Sequence, residues 1–272
     1  MTPIGVFDSG FGGLTILRDL RRALPGADFL YLGDNARAPY GSRSFELVYR
    51  FTLQAVKYLF GQGCPLVILA CNTASAKALR SIQQRDLASI DPERRVLGVI
   101  RPTVEAIADS TTTGSVGLFG TPGTVASHSY DIEIEKHAPG TRVFSHACPM
   151  WVPLVENSEA DGDGADYFVK KDVDALFDPH PDIDTLILGC THYPLLLDKI
   201  RKYVPTGVTI LSQGDIVAKS LIDYLQRHPE MDARISRGGT VRYLTTESAD
   251  KFDGLASEFM GEKVKATAIR LE

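Results

Sequence analysis

The chain has 272 residues, 44% of them hydrophobic, enough for one large α/β domain or two lobes of ordinary size. Its formal net charge of −5 offers a nucleic acid or an anionic membrane no electrostatic reason to bind. There is no bilayer-length apolar run, no basic-then-apolar leader and no C-x-x-C pair among the four cysteines, so the expectation is a cytoplasmic protein without a disulfide framework or a structural zinc site.

The first strand is predicted at "IGVF" (4–7), and it runs into the glycine-rich turn "FDSGFGG" (7–13). Such a turn can cradle a phosphate, but Thr15 stands where G-x-G-x-x-G needs its third glycine, and Asp8 would repel a pyrophosphate. Asp8 and Ser9 are better placed to receive an ammonium group or to help a neighbouring thiol. "LTILRDLRRAL" then has the i, i+3, i+4, i+7 apolar spacing of a helix. A second strand, "DFLYLG" (28–33), leads to "ARAPYGSRS" (36–44), where backbone amides and the Tyr40 hydroxyl can meet a carboxylate. The helix "FELVYRFTLQAVKYLFGQG" precedes the strand "LVILA" (66–70), which ends at Cys71, Asn72 and Thr73.

"VLGVI" (96–100) and "SVGLFG" (115–120) are the next strands, the latter followed by "GTPGT", where Thr121 and Thr124 can donate hydrogen bonds. "RVFSHA" (142–147) precedes "WVPLV" and Glu156, and "ENSEADGDGAD" (156–166) reads as an exposed acidic loop. "TLILG" (185–189) ends at Cys190, Thr191 and His192, and "VTILS" (208–212) follows. "VRYLTT" and "VKATAIRL" are further strands flanking one helix. Buried strands alternating with helices predict doubly wound, mostly parallel α/β sheets.

The blocks also recur in order. "GVFDSGFGG" is echoed by "GLFGTPGTV", "LYLGDNARAPYG" by "VFSHACPMWVP", "LVILACNTAS" by "TLILGCTHYP", and "VLGVIRP" by "VTILSQG". Two similar lobes follow, one from 1–97 with 208–272 and one from 98–207, with the active site in the cleft between them. Ligands of such sheets bind beyond the carboxyl ends of the strands, so Cys71 and Cys190 approach one cleft from opposite faces.

Two like groups on two faces suit inversion at a carbon acid. One thiolate removes the α-proton, the other thiol protonates the opposite face, and no cofactor or metal is needed. Both cysteines precede a predicted helix, whose N-terminal amides can stabilise a thiolate. Asn72, Thr73, Thr191 and His192 can hold a substrate carboxylate, and His192 can exchange a proton with Cys190. Cys64 and Cys148 read as small core residues.

Together "FDSGFGGL", "PYG", "ACNTASA" and "LGCTHYPLL", in this order and at these separations, resemble the glutamate racemases over essentially the whole chain. The resemblance implies a cofactor-independent racemase that interconverts L- and D-glutamate and supplies D-glutamate for peptidoglycan. It implies that Cys71 acts on the D-enantiomer and Cys190 on the L-enantiomer. Asp8, His192 and Glu156 would assist the thiols, and Asp8, Ser9, Tyr40, Gly41, Asn72, Thr73 and Thr191 would bind substrate. It further implies two lobes with the chain's end returning to the first, and commonly a homodimer. Arg101, Thr103 and the long acidic run after "PLVE" depart from the family pattern. The alternatives are a racemase for aspartate or another acidic amino acid, and a two-lobed amino-acid-binding protein with inert cysteines.

Overall fold

The computed structural model describes residues 2–272. Among the described residues, ten strands form two sheets. The first contains β1 (Ile4–Asp8), β2 (Phe29–Gly33), β3 (Leu66–Leu69), β4 (Arg95–Gly98), β9 (Val241–Thr245) and β10 (Ala266–Ala268) in the order β10-β9-β2-β1-β3-β4. The second contains β5 (Ser115–Gly120), β6 (Arg142–Ala147), β7 (Thr185–Gly189) and β8 (Thr209–Leu211) in the order β6-β5-β7-β8. Every strand pair is parallel.

The sequence repeat is visible in this topology. β2-β1-β3-β4 and β6-β5-β7-β8 have the same order, each strand matched to its echo, and β9 and β10 extend the first sheet past β2. One boundary differs from expectation. The segment at 208–212 does not return to the first lobe, because β8 pairs in register with β7 and closes the second sheet. The return comes with the next helix, Gln213–Arg227, which packs on helix Gly13–Ala23 of the first lobe.

Local reasons for these elements are plain. β1, β2, β3, β5 and β7 are buried along their whole length, as continuous branched apolar runs require when helices cover both faces. Helix Gly13–Ala23 turns Leu14, Leu17 and Leu20 into the core, and each such side chain contributes about 1.5–3 kcal/mol. Ser44 caps helix Phe45–Gly61 by accepting the Leu47 N–H at 3.3 Å. One apolar cluster joins the lobes, running from Ile4, Tyr31 and Ile68 to Phe119, Trp151 and Leu188.

The glycine-rich turn after β1 has a packing explanation. A Cβ on Gly12 would overlap the Thr191 hydroxyl and the His192 ring of the other lobe, so only glycine lets the lobes meet there. Gly12→Ala is therefore expected to cost about 1–3 kcal/mol in a denaturant melt, as overpacked sites do. Gly26→Ala, which meets nothing within 4 Å, is the control and should change stability by no more than about 0.5 kcal/mol. Equal midpoints for the two variants would show that the lobes do not touch at Gly12.

Candidate active site

The carboxyl edges of the two sheets share one cavity of about 100 Å3. The first lobe lines it with Ser9, the 38–42 loop, Cys71, Asn72 and Thr73. The second lobe adds Thr121, Cys148, Glu156, Cys190, Thr191 and His192. The two loops that follow β2 and β6, echoes of each other in sequence, thus form opposite walls.

Cys71 follows β3 and caps the short helix Asn72–Lys77. Its sulfur accepts the Ala74 N–H at 3.4 Å, and its thiol donates to Ser9 Oγ at 3.5 Å. The helix amide does not make this a resting thiolate. Burial, joined by the negative charge of Asp8, pushes the Cys71 thiol up to about 12, against the pull of Ser9 and the Ala74 amide. Cys71 therefore rests as a neutral thiol.

Cys190 directly follows β7 and is held differently. The residues after it form the 3-10 turn Tyr193–Leu196, and its partner is a side chain, His192, whose Nδ1 lies 3.9 Å from Sγ. His192 Nε2 donates to Glu156 Oε1 at 2.9 Å. Burial disfavours the imidazolium, but the hydrogen bonds to Cys190 and Glu156 outweigh it and hold His192 up at about 10. A protonated imidazole thus stands beside the second sulfur, anchored from behind by a carboxylate.

The other expected residues divide between the wall and the layer behind it. Ser9, Gly41, Asn72, Thr73, Thr121 and Thr191 line the cavity, while Asp8 and Thr124 sit behind it. Asp8 is fully buried; its carboxylate accepts the Gly10 N–H at 2.9 Å and the Thr191 hydroxyl at 3.5 Å. Burial raises the Asp8 carboxyl above its ordinary value, although His192 pulls it down. Tyr40 also borders the cavity, but its hydroxyl donates to Asp34, which leaves the loop backbone rather than that hydroxyl facing a ligand. Thr73 and Thr121, one from each lobe, are hydrogen-bonded at 2.9 Å, and the Gly123 N–H reaches Gly41 O at 2.7 Å.

Several contributors escaped sequence reasoning. Gln213 is buried and donates to Thr103 Oγ1 at 2.8 Å, to the Tyr130 hydroxyl at 2.9 Å and to Asn72 Oδ1 at 3.2 Å, tying the residue after Cys71 to both lobes. No local motif marks such a contact, because its partners are 83 to 141 residues away. Cys148 and Ser42 could have been found, since both lie in the two loops that the repeat aligns.

Two thiols from equivalent strand ends line one buried cavity, an arrangement that suits an isomerase acting on both faces of one carbon. The comparisons with known proteins agree. The family model for Asp/Glu/Hydantoin racemases matches residues 4–221. A glutamate racemase of Ruegeria sp. (strain TM1040) is 42% identical, over 96% of this chain and 97% of its own length. The crystal structure of a glutamate racemase isoform from Bacillus anthracis superposes with a TM-score of 0.90 at 35% identity, covering 99% of this chain and 98% of that one. That of the Francisella tularensis glutamate racemase, in complex with D-glutamate, gives 0.88 at 31% identity, covering 100% and 98%. The chain belongs to the Asp/Glu/Hydantoin racemase family, and it is an isomerase, an amino-acid racemase.

Two titrations test the site. Because the folded His192 value is raised from 6.5 to about 10, the stability it contributes is complete below the lower value and is lost as pH rises through the upper one. NMR of 15N-labelled histidine should find His192 doubly protonated at about pH 8, and Glu156→Gln should lower its midpoint; a wild-type midpoint near 6.5 would refute the ion pair. In substrate-free Cys190→Ser protein, alkylation of Cys71 should still accelerate above about pH 10 rather than level off near the free-thiol value of about 8.5. Asp8→Asn, by removing a negative charge, should shift that profile downward, and mass spectrometry identifies the modified residue.

Proposed function

We propose that the chain interconverts L- and D-glutamate by transferring the α-proton between Cys71 and Cys190, without a cofactor. The observation that carries this reading is the pair of cysteines at the matched ends of β3 and β7, lining one cavity from two lobes. In the L-to-D direction, a Cys190 thiolate takes the α-proton and the Cys71 thiol delivers its own proton to the opposite face. The C–H bond broken on one face is replaced by a C–H bond on the other, and the sulfurs exchange protonation states. Resting Cys71 is neutral, as the acid in this direction must be. The L-side role of Cys190 agrees with the one that the family resemblance implies.

His192, hydrogen-bonded to Glu156, returns a proton to Cys190 or accepts one from it, so the second thiol can be reset. The substrate ammonium would lie near Ser9, with the Asp8 carboxylate behind it. Its α-carboxylate would meet donors from Asn72, Thr73, Thr121 and Thr191. Excluding water strengthens each of these interactions.

The glutamate assignment is supported by relatives named for that activity, one of them crystallised with D-glutamate. Aspartate is the second substrate to try, because one methylene in a pocket is worth only about 1–3 kcal/mol. The proposal extends to a cytoplasmic supply of D-glutamate for peptidoglycan, so cells depleted of this chain should need D-glutamate to grow. It also extends to the homodimer that the resemblance implies, with no interface assigned.

The test is incubation with L-glutamate in D2O without added cofactor, following optical rotation and Cα deuterium together. Wild type should lose rotation as it gains deuterium. Cys71→Ser and Cys190→Ser should each slow racemisation by at least about 10²-fold, the scale on which a positioned acid or base contributes. A wild type that neither racemises glutamate nor exchanges its α-proton refutes the assignment and moves the assay to aspartate.

A further inference from the structure

Cys148 reads in the sequence as a small core residue, but it does not stand alone. A ring nitrogen of His146, the Cys148 sulfur and a carboxylate oxygen of Asp172 all lie within 4.8 Å of one another. We propose that these three side chains bind a borderline divalent cation of the zinc class, with Cys148 at the wall of the cavity and His146 and Asp172 behind it.

The scaffold is rigid on both sides. His146 is on β6, Cys148 lies two residues on, and the Cys148 N–H is fixed to Gly120 O at 2.9 Å. Residues two apart in an extended segment point to the same side, which brings the imidazole and the thiol together. Asp172 comes from helix Asp163–Phe177, which packs on β6. In a tetrahedral zinc site, neighbouring ligand atoms are about 3.3–3.8 Å apart, given metal–ligand bonds of about 2.0–2.3 Å. His146 Nε2 and Asp172 Oδ1 are already 3.1 Å apart, so a cation needs only a small spreading of this pair.

The donor set selects the ion. One sulfur, one nitrogen and one oxygen suit zinc and its relatives, whereas magnesium and calcium require oxygen ligands. Cys148 and Asp172 are buried, but the His146 side chain is 28% exposed and leaves an approach for the ion and for a water as fourth ligand. Binding replaces the Cys148 S–H bond with a sulfur–metal bond and releases one proton. A carboxylate has about four lone-pair directions; His146 and the Cys148 thiol hydrogen-bond to Asp172, and the thiol's proton is the one a cation would replace.

The competing explanation is a structural His–Asp hydrogen bond beside an inert thiol, and metal titration separates the two. The full-length Cys71→Ser/Cys190→Ser protein removes the reacting thiols, and Co2+ and Cd2+ serve as the probes. The proposal expects saturable binding of one equivalent, with a charge-transfer band from a single thiolate. Cys148→Ala should abolish that band. His146→Ala and Asp172→Asn should each weaken binding at least about tenfold. Asp172→Asn keeps a hydrogen-bond partner for His146, and the part-exposed His146 tolerates substitution if Cys148→Ala does not fold. Absence of a saturable thiolate band, a band that survives Cys148→Ala, or affinity unchanged in both His146→Ala and Asp172→Asn would overturn the site.

Discussion

The close approach of two parallel-sheet edges is the constraint on which the rest of the molecule depends. A reaction that needs one group on each face of a carbon cannot be assembled on one sheet edge, where all side chains arrive from the same side. Here the edges face each other across a cavity that no strand spans. They are held by contacts with no room to spare: Gly12 against Thr191 and His192, Thr73 against Thr121, and the backbone of Gly123 against that of Gly41. The first two contacts lie within two residues of Cys190 and Cys71, and Gly41 of the third lines the same cavity. The packing that joins the lobes therefore also sets the separation of the two thiols, and in the proposed reaction a small shift in it would be felt directly in the chemistry.

The two lobes are alike in topology and unlike in charge. Cys71 has a serine hydroxyl, a backbone amide and a nearby carboxylate around it, and that setting favours the neutral thiol. Cys190 has an imidazole that its own sulfur and Glu156 hold well above the usual histidine range. The proposed transfer needs a thiolate on one face of the substrate and a thiol on the other, and unlike surroundings suit it. The difference comes from single residues in the loops, Asp8 on one side and His192 on the other, while the strands that carry the thiols keep the repeat.

Much of this was legible in the sequence because it is local. Buried parallel strands require unbroken apolar runs, so "LVILA" and "TLILG" identified themselves, and the residue ending each run had to lie at the sheet edge. The matched order of four blocks anticipated the matched order of four strands. What stayed hidden depends on distance along the chain. Nothing near 208 indicates whether that strand closes the second sheet or returns to the first, because a pairing choice depends on the partner edge. The Gln213 contacts and the burial of Asp8 behind Ser9 are likewise products of packing. The raised Cys71 thiol is instructive for the same reason. A helix N-terminus is readable in sequence, but the burial and the neighbouring carboxylate that outweigh it are not.

The repeat also explains why a loop on each side, and not only a cysteine, contributes to the cavity. Duplicating a strand–loop–helix unit duplicates the loops after β2 and β6 together with the thiols after β3 and β7. The loop after β2 brings Tyr40, whose hydroxyl is spent on Asp34, and so offers backbone. The loop after β6 brings Cys148 and then the helix Trp151–Glu156, which delivers the carboxylate that fixes His192. One copy of the unit thus supplies backbone and the other supplies the charge, and this division gives two nearly equivalent halves the unlike settings that the proposed proton transfer needs.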